Sequence, residues 1–108
     1  MKRPCRYLFL LGAGLLLLPT LALADSNPMT NYRSRCAMCH GADGKGETPA
    51  GKEMKIPSFS SPEIIKMSNN QIIDIITNGR GQMPAYTGRL SFMEILSLEN
   101  YVRVMQKK

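Results

Sequence analysis

Residues 35 to 46 read RCAMCHGADGKG, and within them Cys36, Cys39 and His40 fall inside five positions. His40 is the only histidine of the chain, and Cys5 is the only other cysteine. Any fold of this chain has to use two thiols and an imidazole held that close together. How it uses them depends on where the chain works and on what else stabilises it.

The amino-terminal residues answer the first question. Lys2, Arg3 and Arg6 make a positive start, Leu8 to Leu18 is an apolar run, and Ala22-Leu23-Ala24 supplies small residues at a cleavage point. These are the three parts of a secretory signal peptide. Cleavage after Ala24 leaves residues 25–108, 84 of the 108, as a single domain. An uncleaved anchor is the alternative. The apolar stretch is interrupted by Pro19, however, and is shorter than the roughly 20 residues of a spanning helix. Cys5 precedes the apolar run and leaves with the leader. The expectation is export to the periplasm with no stable membrane insertion afterwards. All 8 acidic residues but only 11 of the 14 basic ones remain, a net charge of +3. No arginine cluster with interleaved aromatics accompanies that mild charge, so nucleic acid is not an expected partner.

Helix signals dominate the mature chain. Asn27-Pro28 pairs a capping residue with proline at the first helical position, and opens a short helix over Met29 to about Met38 that delivers the cysteines at its end. Gly41, Gly44 and Gly46 stop it. From Gly41 to Ser60 glycine and proline punctuate a loop without periodicity. Ser61-Pro62-Glu63 opens a brief helical turn through Met67. Ser68 and Gln71 have capping-box spacing, and behind them Ile72, Ile73, Ile75 and Ile76 share a helical face. Those isoleucines also resemble a buried strand, but alternation fails and Asn78-Gly79 is a natural helix stop. Gly79 to Leu90 is irregular. Ser91 and Glu94 form a second capping box for a terminal helix reaching about Gln106. On that helix Ile95, Leu98, Tyr101, Val102 and Met105 face one way, and Glu94, Ser97, Asn100 and Arg103 the other. The expected fold class is all-α, with three main helices, a short one and long loops.

Two long loops in so small a domain count against compactness unless they wrap something. An exported domain of this size also needs a staple. A Cys36–Cys39 disulfide would close too small a loop to provide it. Both gaps ask for one large apolar object.

A redox dithiol of thioredoxin type needs its CxxC at the head of a helix in a βαβ setting. Here it follows the helix, and no strand pattern lies nearby. Zinc needs four nitrogen or sulfur ligands, and the mature chain has three. Neither use explains a histidine directly after the second cysteine. Covalent haem c explains all three residues. The thiols of Cys36 and Cys39 add to the two vinyl groups, and the imidazole of His40 becomes the proximal iron ligand. No second histidine exists, so methionine is the natural sixth ligand. Met29, Met93 and Met105 fall within helices, Met38 inside the motif, and Met54 and Met67 near unremarkable turns. Met83 differs: in Gly79-Arg80-Gly81-Gln82-Met83-Pro84 two glycines let the backbone approach a flat ligand, and proline stiffens the exit.

With these motifs in place, the chain resembles the small bacterial class I (monohaem) cytochromes c. Cys36 to Gly46 matches the attachment motif with its glycine-rich turn, Asn78-Gly79 with Met83-Pro84-Ala85-Tyr86 matches the sixth-ligand loop, and Leu90-Ser91, Glu94-Ile95 and Tyr101-Val102-Arg103 match the C-terminal helix. The resemblance covers nearly all of residues 28 to 106. It implies a cytochrome c domain over residues 25–108, with His40 and Met83 as axial ligands on opposite haem faces. It also implies that the N-terminal helix packs across the C-terminal one near Tyr32 and Tyr101. A proline carbonyl is expected to accept the second N–H of His40; Pro57 and Pro49 are the two candidates. Where the family has glycine eight residues before the first cysteine, this chain has Pro28, so a later helix start or a shifted crossing is expected. The absence of tryptophan leaves tyrosine and lysine or arginine as propionate partners.

The resemblance implies a periplasmic one-electron carrier with one covalent haem c per chain, serving redox partner proteins as a monomer or as a subunit of a redox complex, and not an enzyme. Lys45, Lys52, Lys55, Arg80 and Arg89 lie on the loops around the expected haem edge and would steer an acidic partner; ordinary solvated loop charge is the alternative. A labile Met83 would instead leave iron open to gases or peroxide.

Overall fold

The computed structural model describes residues 12–19 and 27–108. The expected cleavage point after Ala24 and the charged start of the leader lie outside the described residues. Six helices and two isolated bridges, Arg80 with Met83 and Thr87 with Leu90, make up the regular structure among them.

Local chemistry places each helix. The first, α1 (Pro28–Arg35), begins where the Asn27 side chain accepts the N–H of Met29 at 3.0 Å, with proline at the first position. Position 28 therefore opens the helix itself, and no later start occurs. At Cys36, still in the right-handed region at φ −115° and ψ −38°, a single turn residue separates α1 from α2 (Ala37–His40), which is stopped by Gly41 at φ 82°. The motif thus rides on its own turn of helix. A further helix, α3 (Pro49–Glu53), falls inside the stretch expected to be loop. Its start repeats the Asn27-Pro28 device: the Thr48 hydroxyl accepts the N–H of Gly51 at 2.9 Å and Pro49 takes the first helical position. The fourth, α4 (Pro62–Ile65), also has proline at its first position, but the Ser61 side chain makes no cap bond and instead donates to the Ser58 carbonyl at 2.7 Å. Three short helices, α2, α3 and α4, thus accompany the three main ones, where one was expected.

The two longest helices are fixed as their capping boxes require. In α5 (Asn69–Asn78) the Ser68 N–H donates to Gln71 Oε1 at 2.8 Å and the Gln71 N–H returns to Ser68 Oγ at 3.2 Å. In α6 (Phe92–Gln106) the equivalent bonds between Ser91 and Glu94 are 2.7 and 3.1 Å. The bond from the Ser91 backbone, helped by the Ser91 and Asn31 side chains and by Arg35, holds the Glu94 carboxyl below its ordinary 4.5. A carboxylate held low stabilises the fold above that ordinary value, and the stabilisation is lost as pH falls through the lower folded value. Glu94→Gln keeps an acceptor for the Ser91 N–H but does not titrate. Melting temperatures of the two proteins are expected to differ above pH 4.5 and to converge below it; parallel curves throughout would show that the carboxylate charge adds nothing to the cap.

The core forms where α1 and α5 pack on α6. Tyr32 and Leu98 are the largest fully buried side chains, joined by Ile72, Ile76, Ile95, Val102 and Met105. The crossing lies where expected, with the Tyr32 and Tyr101 rings 5.2 Å apart. The apolar face of α6 also agrees with the pattern, but Arg103 does not point to free solvent. It pairs with buried Glu99 at 3.1 Å and donates to the Met67 carbonyl at 2.6 Å, tying the last turns of α6 to the segment before α5.

Candidate haem site

The helices enclose an apolar cavity of about 800 Å³, within the range of cofactor sites. Cys36, Cys39 and His40 line it from α2 and its preceding residue, and Met83 lines it from the loop between α5 and α6. The remaining wall comes mostly from Ile56, Phe59, Met67, Ile75, Ile76, Leu98 and Val102. The residues that the sequence singled out therefore converge on one space. The other methionines divide: Met38, Met54 and Met67 also reach the cavity, while Met105 is buried in the core and Met93 is exposed.

Each wall is held by identifiable bonds. The Tyr32 hydroxyl donates to the Gly41 carbonyl at 2.6 Å, directly after His40. The Thr48 hydroxyl donates to the Cys39 carbonyl at 3.0 Å, and the Gly46 N–H to the His40 carbonyl at 2.8 Å. Gly51 is required by space: a β-carbon there would sit 2.5 Å from the Cys39 carbonyl oxygen and 2.3 Å from that of Gly46. On the opposite side Arg80 and Met83 exchange backbone bonds of 3.1 and 3.0 Å, closing a tight turn around Gly81 and Gln82. Tyr86 ties this loop back to the motif by donating its hydroxyl to the Arg35 carbonyl at 3.0 Å, across 51 positions of sequence. The Arg89 guanidinium lies over the same ring, 5.5 Å from its centre.

Burial sets the protonation of the motif. It lowers the pKa of His40 below the ordinary 6.5, so the imidazole is neutral at neutral pH, the form that coordinates a metal. Burial also pushes the Cys36 thiol up to about 11, against a smaller opposing pull from Arg35. A redox dithiol or zinc site works through thiolates, and this thiol is not activated toward one. The expected bond from His40 to a proline carbonyl is not made: His40 Nδ1 is buried without a hydrogen-bond partner. Pro57 reaches the cavity wall, while Pro49 opens α3. The His40 ring instead stacks on Phe59, centres 4.8 Å apart at 29°. Phe59 and Thr48 are the site residues that the sequence did not single out, and Tyr86 was named only as part of the Met83 loop. Only Thr48 carried a signal, its Thr-Pro pair.

The donor set fits a haem: an apolar space, two neutral cysteines and a neutral imidazole at one wall, and a thioether at another. A helical shell around an apolar cavity lined by a CxxCH motif defines a c-type cytochrome. Comparison with known proteins agrees. Residues 24–102 match the family described as cytochrome c oxidase, cbb3-type, subunit III. Cytochrome c6 of Leptolyngbya boryana is 37% identical over 71 residues, covering 66% of this chain and 80% of that protein. Cytochrome c6 of Microcystis aeruginosa is 32% identical over 80 residues, covering 71% and 91%. The cbb3-type cytochrome c oxidase subunit CcoP of Azospirillum brasilense is 35% identical over 85 residues, 77% of this chain but only 29% of its own length. Among solved structures, the c-type cytochrome KustC0563 superposes with a TM-score of 0.68 at 29% identity, over 74% of this chain and 98% of its own.

The chain belongs to the cytochrome c family, as a small monohaem member related to cytochrome c6 and to the cbb3-type subunit. It is a haem c electron-transfer protein, and Cys36 and Cys39 stand in the motif through which this family binds its cofactor covalently.

Proposed function

We propose that the protein is a periplasmic one-electron carrier, its haem linked through Cys36 and Cys39 and its iron held between His40 and Met83. The observation that carries this reading is the convergence of all four residues on one apolar cavity. When bound, haem iron supplies the chemistry by alternating between ferric and ferrous states. The chain anchors it, presents a neutral imidazole and a soft thioether, and keeps water from the metal with isoleucine, leucine and valine walls. With two protein ligands no coordination position would be open to a substrate, and Cys36, Cys39 and His40 would all be taken up by the cofactor, so the protein would carry electrons and not act as an enzyme.

Export is supported by the leader, and no helix among the described residues is long and apolar enough to cross a membrane. Partners are redox proteins with acidic docking surfaces. Lys45, Lys52, Lys55, Arg80 and Arg89 are all exposed, and Lys55, Arg80 and Arg89 reach the mouth of the cavity. The chain spans most of each cytochrome c6 but under a third of CcoP, and a fixed electron-carrying subunit of a larger redox complex is the second reading of the same site.

A redox titration of the exported protein tests the proposal, with a single reversible one-electron wave expected. Carbon monoxide binding to the reduced form at neutral pH would favour an open iron and the gas or peroxide reading instead. The Met83 loop gives a second handle. Gly79 has φ 76°, and a β-carbon there would lie 2.6 Å from the Met83 carbonyl oxygen and 2.9 Å from the Ala85 nitrogen. With ψ at 173° as well, Gly79 holds a conformation nearly exclusive to glycine, so Gly79→Ala is expected to cost about 1–3 kcal/mol in backbone strain, with the clash in addition. It should also weaken the far-red sulfur-to-iron band as Met83 shifts. A full-strength band with an unchanged melting temperature would contradict that role for the loop.

A further inference from the structure

Single apolar side chains on a surface need no explanation, but large ones side by side mark a place of contact. Phe92 and Met93, the first two residues of α6, are 64% and 67% exposed. The helix does not call for them, because the capping box that opens it uses only Ser91 and Glu94. Neither residue lines the haem cavity, so a bound haem leaves both uncovered.

Their surroundings are cationic. The Leu90 N–H donates to the Tyr86 carbonyl at 2.9 Å, which seats the start of α6 beside Tyr86. Arg89 lies over the Tyr86 ring, and the Tyr86 hydroxyl reaches the Arg35 carbonyl. Arg35 also stands close enough to Glu94 to help hold its carboxyl low. Both arginines are exposed. Glu94, the one acid of the first turn, is engaged by the Ser91 N–H at 2.7 Å. An apolar tip of two residues therefore sits among arginines. The shape selects the occupant: a protein would need a pocket matched to a protruding tip, whereas a fluid lipid surface yields to it. Peripheral binding to lipid combines apolar side chains sunk to the headgroup boundary with cations at anionic headgroups. A second copy would bring like charges together, and two side chains cover far less than the roughly 800 Å² per partner of a stable interface.

We propose that Phe92 and Met93, with Arg35 and Arg89, form a docking tip through which the protein binds reversibly to an anionic lipid surface. The proposal goes beyond the carrier reading and does not depend on how the iron is held, since lipid binding and the redox titration fail separately. Docking of this kind keeps an exported protein at the membrane face without a spanning segment.

The experiment sediments the exported, haem-loaded protein with vesicles of phosphatidylcholine alone, or mixed with an equal part of phosphatidylglycerol. Binding to the mixed vesicles and release by salt are expected. Phe92→Ser/Met93→Ser should weaken that binding at least about tenfold, with the wild-type melting temperature kept because both sites are exposed. Arg35→Gln/Arg89→Gln should weaken it by about fivefold per arginine. Lys107→Gln/Lys108→Gln removes the same charge at the far end of α6 and should weaken it clearly less. Wild-type protein that ignores the mixed vesicles overturns the proposal and leaves the tip to a protein partner. Equal binding by Phe92→Ser/Met93→Ser overturns it too, as does a lysine pair that matters as much as the arginine pair, the sign of diffuse charge attraction. A dimer in sedimentation velocity that Phe92→Ser/Met93→Ser dissolves would assign the tip to a second copy instead.

Discussion

Met83→Ala should lower the reduction potential by the order of hundreds of millivolts, within the roughly 0.8 V range over which axial ligands tune haem iron. The reason is the chemistry of the thioether, a neutral and soft ligand that favours ferrous iron. Water or an adventitious oxygen ligand in its place favours the ferric state. The loop limits collateral damage, because the turn around Met83 is closed by backbone bonds to Arg80 that alanine preserves. The variant should therefore fold, lose the far-red band and bind carbon monoxide when reduced. A titration superimposable on that of the wild type would remove Met83 from the coordination sphere. The other cavity methionines, Met38, Met54 and Met67, would then be the ones to substitute.

Replacing both cysteines should abolish the fold. In Cys36→Ala/Cys39→Ala the 800 Å³ space loses its covalent occupant. An apolar space of that size left unfilled costs its walls their packing contacts, and small domains are stable by only about 5–15 kcal/mol in total. Water entering at the open side offsets part of that cost, yet the buried core outside the cavity is little more than the contact of α1, α5 and α6. Circular dichroism of the double variant is expected to show most helix lost. Native helicity with a cooperative melt would mean that the walls support themselves.

The sequence disclosed the fold wherever a helix boundary was written in local chemistry. Ser68 with Gln71 and Ser91 with Glu94 gave the starts of α5 and α6, and Gly79 gave the end of α5, because capping depends on side chains three residues apart. Thr48-Pro49 carried equally good information and went unread, since the glycines around it suggested a loop. The site divided in the same way. Cys36, Cys39, His40 and Met83 could be named because their chemistry is unusual and their spacing short. Phe59 could not, because a phenylalanine 19 positions after His40 reaches the site through tertiary packing alone, and Tyr86, though named in the Met83 loop, gave no sign of its bond to the carbonyl of Arg35, 51 positions earlier. Arg103 lies on the polar face that helical periodicity assigns it, but periodicity does not show the carbonyl of Met67 that lies against it.

The meeting of Tyr32 with Tyr101 has a bearing on how such a protein is made. The two thiols lie far ahead in sequence of α6, which supplies Leu98 and Val102 to the cavity. Contacts so distant in sequence form late and slowly. On the proposed export route, haem joining would take place while α6 is still unpacked, on an accessible peptide instead of a finished globule.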